Sequence, residues 1–142
     1  MNTRKLIGLI AVFGILACNS DDDDNNTDSC DQLTVISSKQ YVSEPDHNLT
    51  ISSLKINENC LKISFGSSGC SGDTWELKLI DSEEILETNP PQRNLRLSLK
   101  NEELCNAVIT KELSFNILGL KVDGNKVLLN IKNSDDQILY EY

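Results

Sequence analysis

The sequence is poor in the side chains that most catalytic and metal sites use. Its 142 residues include one histidine, one tryptophan, three tyrosines and three phenylalanines. The histidine, His47, stands before Asn48 in a predicted turn and has no partner at metal-site spacing, so we interpret it as a solvated loop residue. Ser67, Ser68 and Ser71 have no plausible general base. The sequence therefore predicts no cofactor, no metal and no catalytic residues.

Positive charge is also scarce. The chain carries 13 Lys and Arg against 22 Asp and Glu, a formal net charge of −9. An acidic surface repels nucleic-acid phosphates, so no nucleic-acid partner is expected. The acidic residues Glu83, Glu84 and Glu87 lack the apolar surroundings that would suit acid–base catalysis. These observations together favour a non-enzymatic protein.

Long apolar runs are absent except at the start of the chain. Residues 6–16 are uncharged and mostly apolar, which is too short for a transmembrane helix of roughly 20 residues. Arg4 and Lys5 precede this run, as in an export signal. The run ends in Ile15-Leu16-Ala17-Cys18, which resembles the lipobox of bacterial lipoproteins. The resemblance implies that residues 1–17 are a cleaved signal peptide and that Cys18 is lipidated, so that a lipid anchor holds the protein at a membrane.

An acidic tract follows the lipobox-like segment. It consists of Ser20, Asp21, Asp22, Asp23 and Asp24. This tract resembles the export signal of surface-exposed lipoproteins of the Bacteroidetes, which implies a position on the outer face of the outer membrane. Residues 18–31 are predicted to be the lipidated cysteine and a flexible acidic linker, because they contain too few apolar side chains to form a core. Residues 32–142 are predicted to form one domain.

The domain shows the pattern of an all-β protein. Leu61, Ile63 and Phe65 alternate with Lys62 and Ser64, and similar short segments recur with turn signals about every ten residues. No segment has a helical period over eleven or more residues. We predict a small antiparallel β-sandwich, or a partly open barrel, of about eight strands.

A glycine-rich segment interrupts this alternation. It contains Gly66, Gly69 and Gly72, which permit a sharp reversal of the chain. We expect residues 60–65 to form one hairpin with residues 49–56 and a second with the strand that starts at Trp75. The segment lacks the lysine and following helix of a phosphate loop, so a structural loop is favoured over an anion-binding nest.

Four cysteines remain after Cys18, and an even number in an exported chain predicts two disulfides. Cys30, Cys60, Cys70 and Cys105 allow three pairings. In the expected hairpin around the glycine segment, Cys70 lies near the turn and about 16 Å along the strand from Cys60, beyond the 7 Å or so that a disulfide spans. Cys60 also alternates in phase with Lys62 on the outer face, where the segment before the domain could cover it. The pairs Cys30–Cys60 and Cys70–Cys105 are therefore favoured over Cys30–Cys70 with Cys60–Cys105.

Two function classes fit these features. The first is an anchored, non-enzymatic domain that binds an envelope protein or an extracellular partner, or that has a structural role in the envelope. The second is an inhibitor or enzyme domain on the same anchor. An inhibitor needs exposed rigid loops, and the candidate binding residues are Gly66, Gly69, Gly72, Asn89, Pro90 and Pro91. Whether these two loops cluster at one end of the fold distinguishes the classes, and the sequence indicates no oligomeric state.

Overall fold

The computed structural model describes residues 29–142. The predicted signal peptide, Cys18, Ser20 and residues 21–24 lie outside the described residues. In the part of the chain that is described, no helix is long and apolar enough to cross a membrane.

The described residues form nine strands and little helix. The strands are β1 (Gln32–Leu33), β2 (Val35–Ile36), β3 (Thr50–Asn57), β4 (Cys60–Gly69), β5 (Glu76–Leu86), β6 (Gln92–Lys100), β7 (Ala107–Asn116), β8 (Lys126–Ile131) and β9 (Gln137–Glu141). A short helix, α1 (Ser38–Ser43), lies between β2 and β3, and a 3-10 turn, Leu118–Leu120, follows β7.

The strands form two sheets that enclose one core. The four-stranded sheet has the order β1-β7-β4-β3, and the five-stranded sheet has the order β2-β5-β6-β8-β9. The predicted all-β sandwich is confirmed, and the sheets do not join into a closed barrel. Leu61, Ile63 and Phe65 of β4 are fully buried, as their alternation predicts. Burial of one such side chain contributes about 1.5–3 kcal/mol.

Both sheets are mixed rather than purely antiparallel. The predicted antiparallel pairing holds for β3 with β4, β4 with β7, β5 with β6 and β8 with β9. The pairs β1–β7, β2–β5 and β6–β8 are parallel. From β1 to β9 the chain changes sheet five times, between β1 and β2, β2 and β3, β4 and β5, β6 and β7, and β7 and β8. After such a crossing, the next strand can pair with a neighbour that runs in the same direction, which explains the parallel pairs.

One of the two predicted hairpins is present. Strands β3 and β4 pair from Thr50 opposite Gly66 to Asn57 opposite Cys60. The second predicted hairpin is wrong, because β4 and β5 lie in different sheets. Residues 70–75, between β4 and β5, instead connect the two sheets across one end of the sandwich. Alternation shows which side chains face the core, but it does not show which strand is the neighbour.

Helix α1 is an element that the sequence analysis did not predict. It begins after Ser37, whose hydroxyl accepts a hydrogen bond from the amide of Gln40. Arg96 of β6 holds the helix against the five-stranded sheet, and its side chain is 3% exposed. The guanidinium donates to four backbone carbonyls of this segment, those of Gln40, Tyr41, Glu44 and Pro45. A buried guanidinium with satisfied donors is a strong attachment point.

A second arginine of β6 forms a buried ion pair. Arg93 donates from Nε and Nη2 to the two carboxylate oxygens of Asp81, at 2.9 and 2.8 Å. The side chain of Asp81 is fully buried and that of Arg93 is 7% exposed. Removing one partner of such a pair leaves an uncompensated charge in the interior.

We therefore expect Asp81→Ala to lower the free energy of unfolding by about 3–5 kcal/mol. The matched control is Lys62→Ala, which breaks the half-exposed ion pair with Glu112 and is expected to cost about 1 kcal/mol or less. Urea unfolding at neutral pH with both disulfides intact measures the two values. Equal losses in the two variants would contradict a stabilising role for the buried pair.

Candidate functional site

The glycine-rich segment is mostly strand, contrary to the loop that the sequence predicted. Gly66 and Gly69 belong to β4, and only Gly72 in this segment has a positive φ, 75°. A Cβ on Gly69 would lie 2.7 Å from Oε1 of Glu103 and 3.0 Å from the Trp75 ring. A Cβ on Gly72 would lie 2.6 Å from Cε of Lys111. These two glycines therefore permit close approach of neighbouring side chains.

The cysteines pair as Cys30–Cys60 and Cys70–Cys105, which are the two pairs that the sequence favoured. The expected separation of Cys60 and Cys70, however, assumed a β4–β5 hairpin, and that hairpin does not form. Cys60 starts β4 and Cys70 follows its last residue, so the two disulfides hold opposite ends of one strand. The Cα atoms are 5.6 and 4.9 Å apart, within the usual range.

Glu103 is the residue that organises the end of the sandwich near Cys70. Its Oε1 accepts hydrogen bonds from the amides of Cys70, Ser71 and Gly72, at 2.6, 3.0 and 3.0 Å. Its Oε2 accepts from the hydroxyl of Thr74 at 2.7 Å and from the Thr74 amide at 3.4 Å. We call residues 70–74 the amide loop and residues 101–106, which carry Glu103, the strap.

These donors stabilise the ionised carboxylate. They lower the pKa of Glu103 from 4.5 to about 2, with the Thr74 hydroxyl as the largest cause, followed by the amide of Gly72, with further hydrogen bonds from the amides of Ser71 and Cys70. Hydrogen bonds to the charged form favour that form. The sequence analysis did not identify Glu103. One feature of the sequence could have indicated it. Glu103 stands two residues before Cys105, so the predicted Cys70–Cys105 disulfide would bring its carboxylate close to the loop that contains Gly72.

Further contacts fasten the amide loop to the core. The amide of Trp75 donates to the carbonyl of Gly72 at 3.2 Å, and Nζ of Lys111 donates to the same carbonyl at 2.8 Å. Nζ of Lys111 also lies 5.7 Å from the centre of the Trp75 ring. Trp75 is 9% exposed and packs beside Phe65, with ring centres 6.4 Å apart.

A groove of about 370 Å³ lies at the same end, on the outer face of the four-stranded sheet. Its floor is Gly66, which has Thr50 of β3 on one side and Thr110 of β7 on the other. We call this surface the Gly66 groove. Its lining contains no charged residue and consists of Asn48, Leu49, Thr50, Ser52, Gly66, Ser67, Ser68, Val108 and Thr110.

The strap supports the rim of the Gly66 groove. The side-chain amide of Asn101 donates to the carbonyl of Ser68 at 2.6 Å, and the hydroxyl of Ser67 donates to the carbonyl of Asn48 at 2.6 Å. His47 is exposed, and its Nδ1 accepts the backbone amide of Asn101 at 2.7 Å. This histidine is a loop residue, as expected, but it also fixes the position of the strap.

The other predicted binding loop lies at the opposite end. Asn89 and Pro90 are joined by a cis peptide bond, and Pro91 lines a separate pocket of about 480 Å³ with residues that include Ile85 and Lys121. In the five-stranded sheet, Leu86 pairs with Gln92 at this end, whereas Glu76 pairs with Lys100 at the end near Trp75. The two loops therefore do not cluster.

Comparison with known proteins shows the fold alone. No family model matches the chain, and no curated protein matches it. The solved structure of a protein of unknown function (DUF1344) from Bacteroides vulgatus is similar, with a TM-score of 0.51, 18% identity and alignment over 78% of this chain and 56% of that one. A putative toxin-related protein from Parabacteroides distasonis aligns with a TM-score of 0.46 and 16% identity over 77% of this chain and 60% of that one. The chain thus spans less than two thirds of either neighbour.

The Cys70–Cys105 bond closes a loop with a sequence separation of 35 residues. We expect Cys70→Ser to lower stability by roughly 2–4 kcal/mol, because the bond restricts the unfolded chain. Cys105 should become reactive towards a thiol reagent while Cys30–Cys60 stays intact. Thermal unfolding and peptide mapping without reduction measure both effects. A Cys30–Cys105 or Cys60–Cys105 peptide in the variant would contradict independent pairing.

The Glu103 contacts predict a specific acid response. Because the folded pKa is lowered, the carboxylate stabilises the fold above about pH 4.5, and this stabilisation is lost as the pH falls towards 2. Glu103→Gln should therefore be less stable than wild type at pH 7, and the difference should shrink between pH 4.5 and 2. Urea midpoints across this range test the prediction. The control is the exposed neighbour Glu102, because Glu102→Gln should have the same urea midpoints as wild type. A stability difference between Glu103→Gln and wild type that stays constant down to pH 2 would refute the prediction.

Proposed function

We propose that this protein is a non-enzymatic lipoprotein that displays a disulfide-stabilised β-sandwich at the outer surface of the outer membrane, and that the Gly66 groove is its binding surface. The partner would be an envelope protein or an extracellular polypeptide. Anchoring and binding would use different residues, and separate experiments test them.

The anchoring part is supported by the order of residues at the start of the chain. A basic pair, an apolar run and Ile15-Leu16-Ala17-Cys18 come in the order of a lipoprotein signal, and the acidic tract Ser20 to Asp24 follows. The two disulfides of the folded domain fit an exported protein, because disulfides persist in oxidising compartments.

The binding part rests on one observation, the uncharged groove on a strongly acidic chain. The chain has a net charge of −9, yet none of the nine lining residues is charged. Val108 on the rim is 81% exposed. A mainly apolar, uncharged concave surface with an exposed valine suits a polypeptide, because it offers apolar contact and a few hydroxyl groups without an unpaired charge.

The inhibitor alternative receives less support from the geometry. An inhibitory surface built from both candidate loops would need them side by side, and residues 66–72 and 89–91 occupy opposite ends of the sandwich. The Gly66 groove uses the first segment only. We therefore place binding at the Gly66 end.

Anchoring predicts that Cys18→Ala abolishes incorporation of a fatty-acid label and leaves the signal peptide uncleaved by the lipoprotein-specific peptidase. Replacing residues 21–24 with alanine should keep the lipid but protect the domain from protease added to intact cells. Mass spectrometry of the wild-type amino terminus is the decisive measurement. An unmodified mature terminus would exclude lipidation, and equal protease digestion of wild type and the alanine variant would exclude the acidic tract as a surface signal.

Groove binding predicts that Gly66→Val removes partner capture without unfolding the domain. A Cβ at Gly66 meets only ordinary contacts, 3.4 Å to the Ile109 carbonyl and 3.6 Å to Thr110, so the position has room for a Cβ, and the rest of the valine side chain is expected to occupy the groove. The control is Ser53→Val on the exposed part of β3, outside the groove. Cross-linking on intact cells, followed by mass spectrometry, compares the three proteins. Partners retained by Gly66→Val at the wild-type level would refute binding in the groove.

A further inference from the structure

The amide loop surrounds one carboxylate group with five hydrogen-bond donors. Three amides point at Oε1 of Glu103, and the Thr74 hydroxyl and amide point at Oε2. Successive backbone amides of this kind form an anion-binding concavity. Because each of the two oxygens has its own donors, the arrangement matches a planar carboxylate.

The amide loop is also held in shape by contacts that do not involve Glu103. The carbonyl of Gly72 accepts from the Trp75 amide and from Nζ of Lys111, and Cys70 is joined to Cys105. Gly72 supplies the positive φ of the loop, and Gly69 leaves the space that a Cβ would take from Oε1. These contacts do not depend on the Glu103 side chain, so we expect the loop to keep its donors close together in a folded Glu103→Ala variant.

The strap that delivers Glu103 is open to solvent. Residues 101–106 contain no helix or strand, and Leu104, next to Glu103, is 94% exposed. Glu103 itself is only partly buried. An external ligand can thus reach the position of the carboxylate group once the side chain is absent, without passing through the core.

From these observations we propose that the amide loop is a carboxylate-binding site which the chain occupies with its own Glu103. The ligand class is a small monocarboxylate in its ionised form, which can enter when the Glu103 side chain is absent. In the wild type the tethered group is present at a high effective concentration, so a free carboxylate does not displace it. This site is separate from the Gly66 groove and does not depend on lipid anchoring.

The test uses the full chain with Glu103→Ala, which opens the site, and sodium formate and sodium acetate as probes. Thermal unfolding is followed at neutral pH against sodium chloride of equal ionic strength. We expect the variant to melt below wild type and formate to restore most of this loss in a saturable manner. Wild type and Glu102→Ala should respond to formate no more than to chloride. If Glu103→Ala does not fold in chloride, recovery of folded protein in formate is the equivalent readout.

Glu103→Gln separates an open site from mere destabilisation. The glutamine fills the site but presents an amide group to the donors, so this variant should lose stability and gain nothing from formate. Equal stabilisation of Glu103→Ala and Glu103→Gln by formate would show a general salt effect and overturn the proposal. Failure of formate to stabilise Glu103→Ala beyond chloride would overturn it too. Sulfate acting as well as formate would overturn the assignment to carboxylates.

Discussion

Burial of the two inner sheet faces against each other is the interaction on which the rest of this structure depends. The core runs from Phe65 and Trp75 at one end to Ile117 and Leu120 at the other. Because successive strands often belong to different sheets, the chain has to cross over the ends of the sandwich. Crossings expose backbone groups that no ladder satisfies. The Cys70–Cys105 disulfide and the Glu103 contacts join two of these crossings, the one from β4 to β5 and the one from β6 to β7.

Buried polar groups attach the outer segments to this core. Arg96 donates hydrogen bonds to backbone carbonyl groups in and after α1, and the hydroxyl of Ser98 donates to the carbonyl of Pro45 at 2.7 Å. Asp81 and Arg93 form their ion pair within the five-stranded sheet. Each of these side chains is buried and has hydrogen-bond partners, which avoids the desolvation cost of an unpaired polar atom. These pairs specify one arrangement of the segments around a generally apolar interior.

The strap unites the two candidate binding features. The side chain of Asn101 donates to the Ser68 carbonyl at the groove rim, and its backbone amide donates to Nδ1 of His47. Glu103 accepts hydrogen bonds from the amide loop. The backbone amide of Glu103 also donates to Oδ1 of Asn101 at 3.0 Å, which links the two residues within the strap. The Gly66 groove and the amide loop therefore share one supporting segment.

The sequence by itself determined the fold class, the β3–β4 hairpin and the inward-facing side chains of β4, because these depend on local alternation and a short turn. It also favoured both disulfide pairs, although the β4–β5 hairpin used to reach them is absent. Only the tertiary structure decided that β4 and β5 lie in different sheets and that Glu103 meets residues 70–74. Those contacts join residues about thirty positions apart, and such pairing depends on how whole sheets pack, which no local pattern encodes.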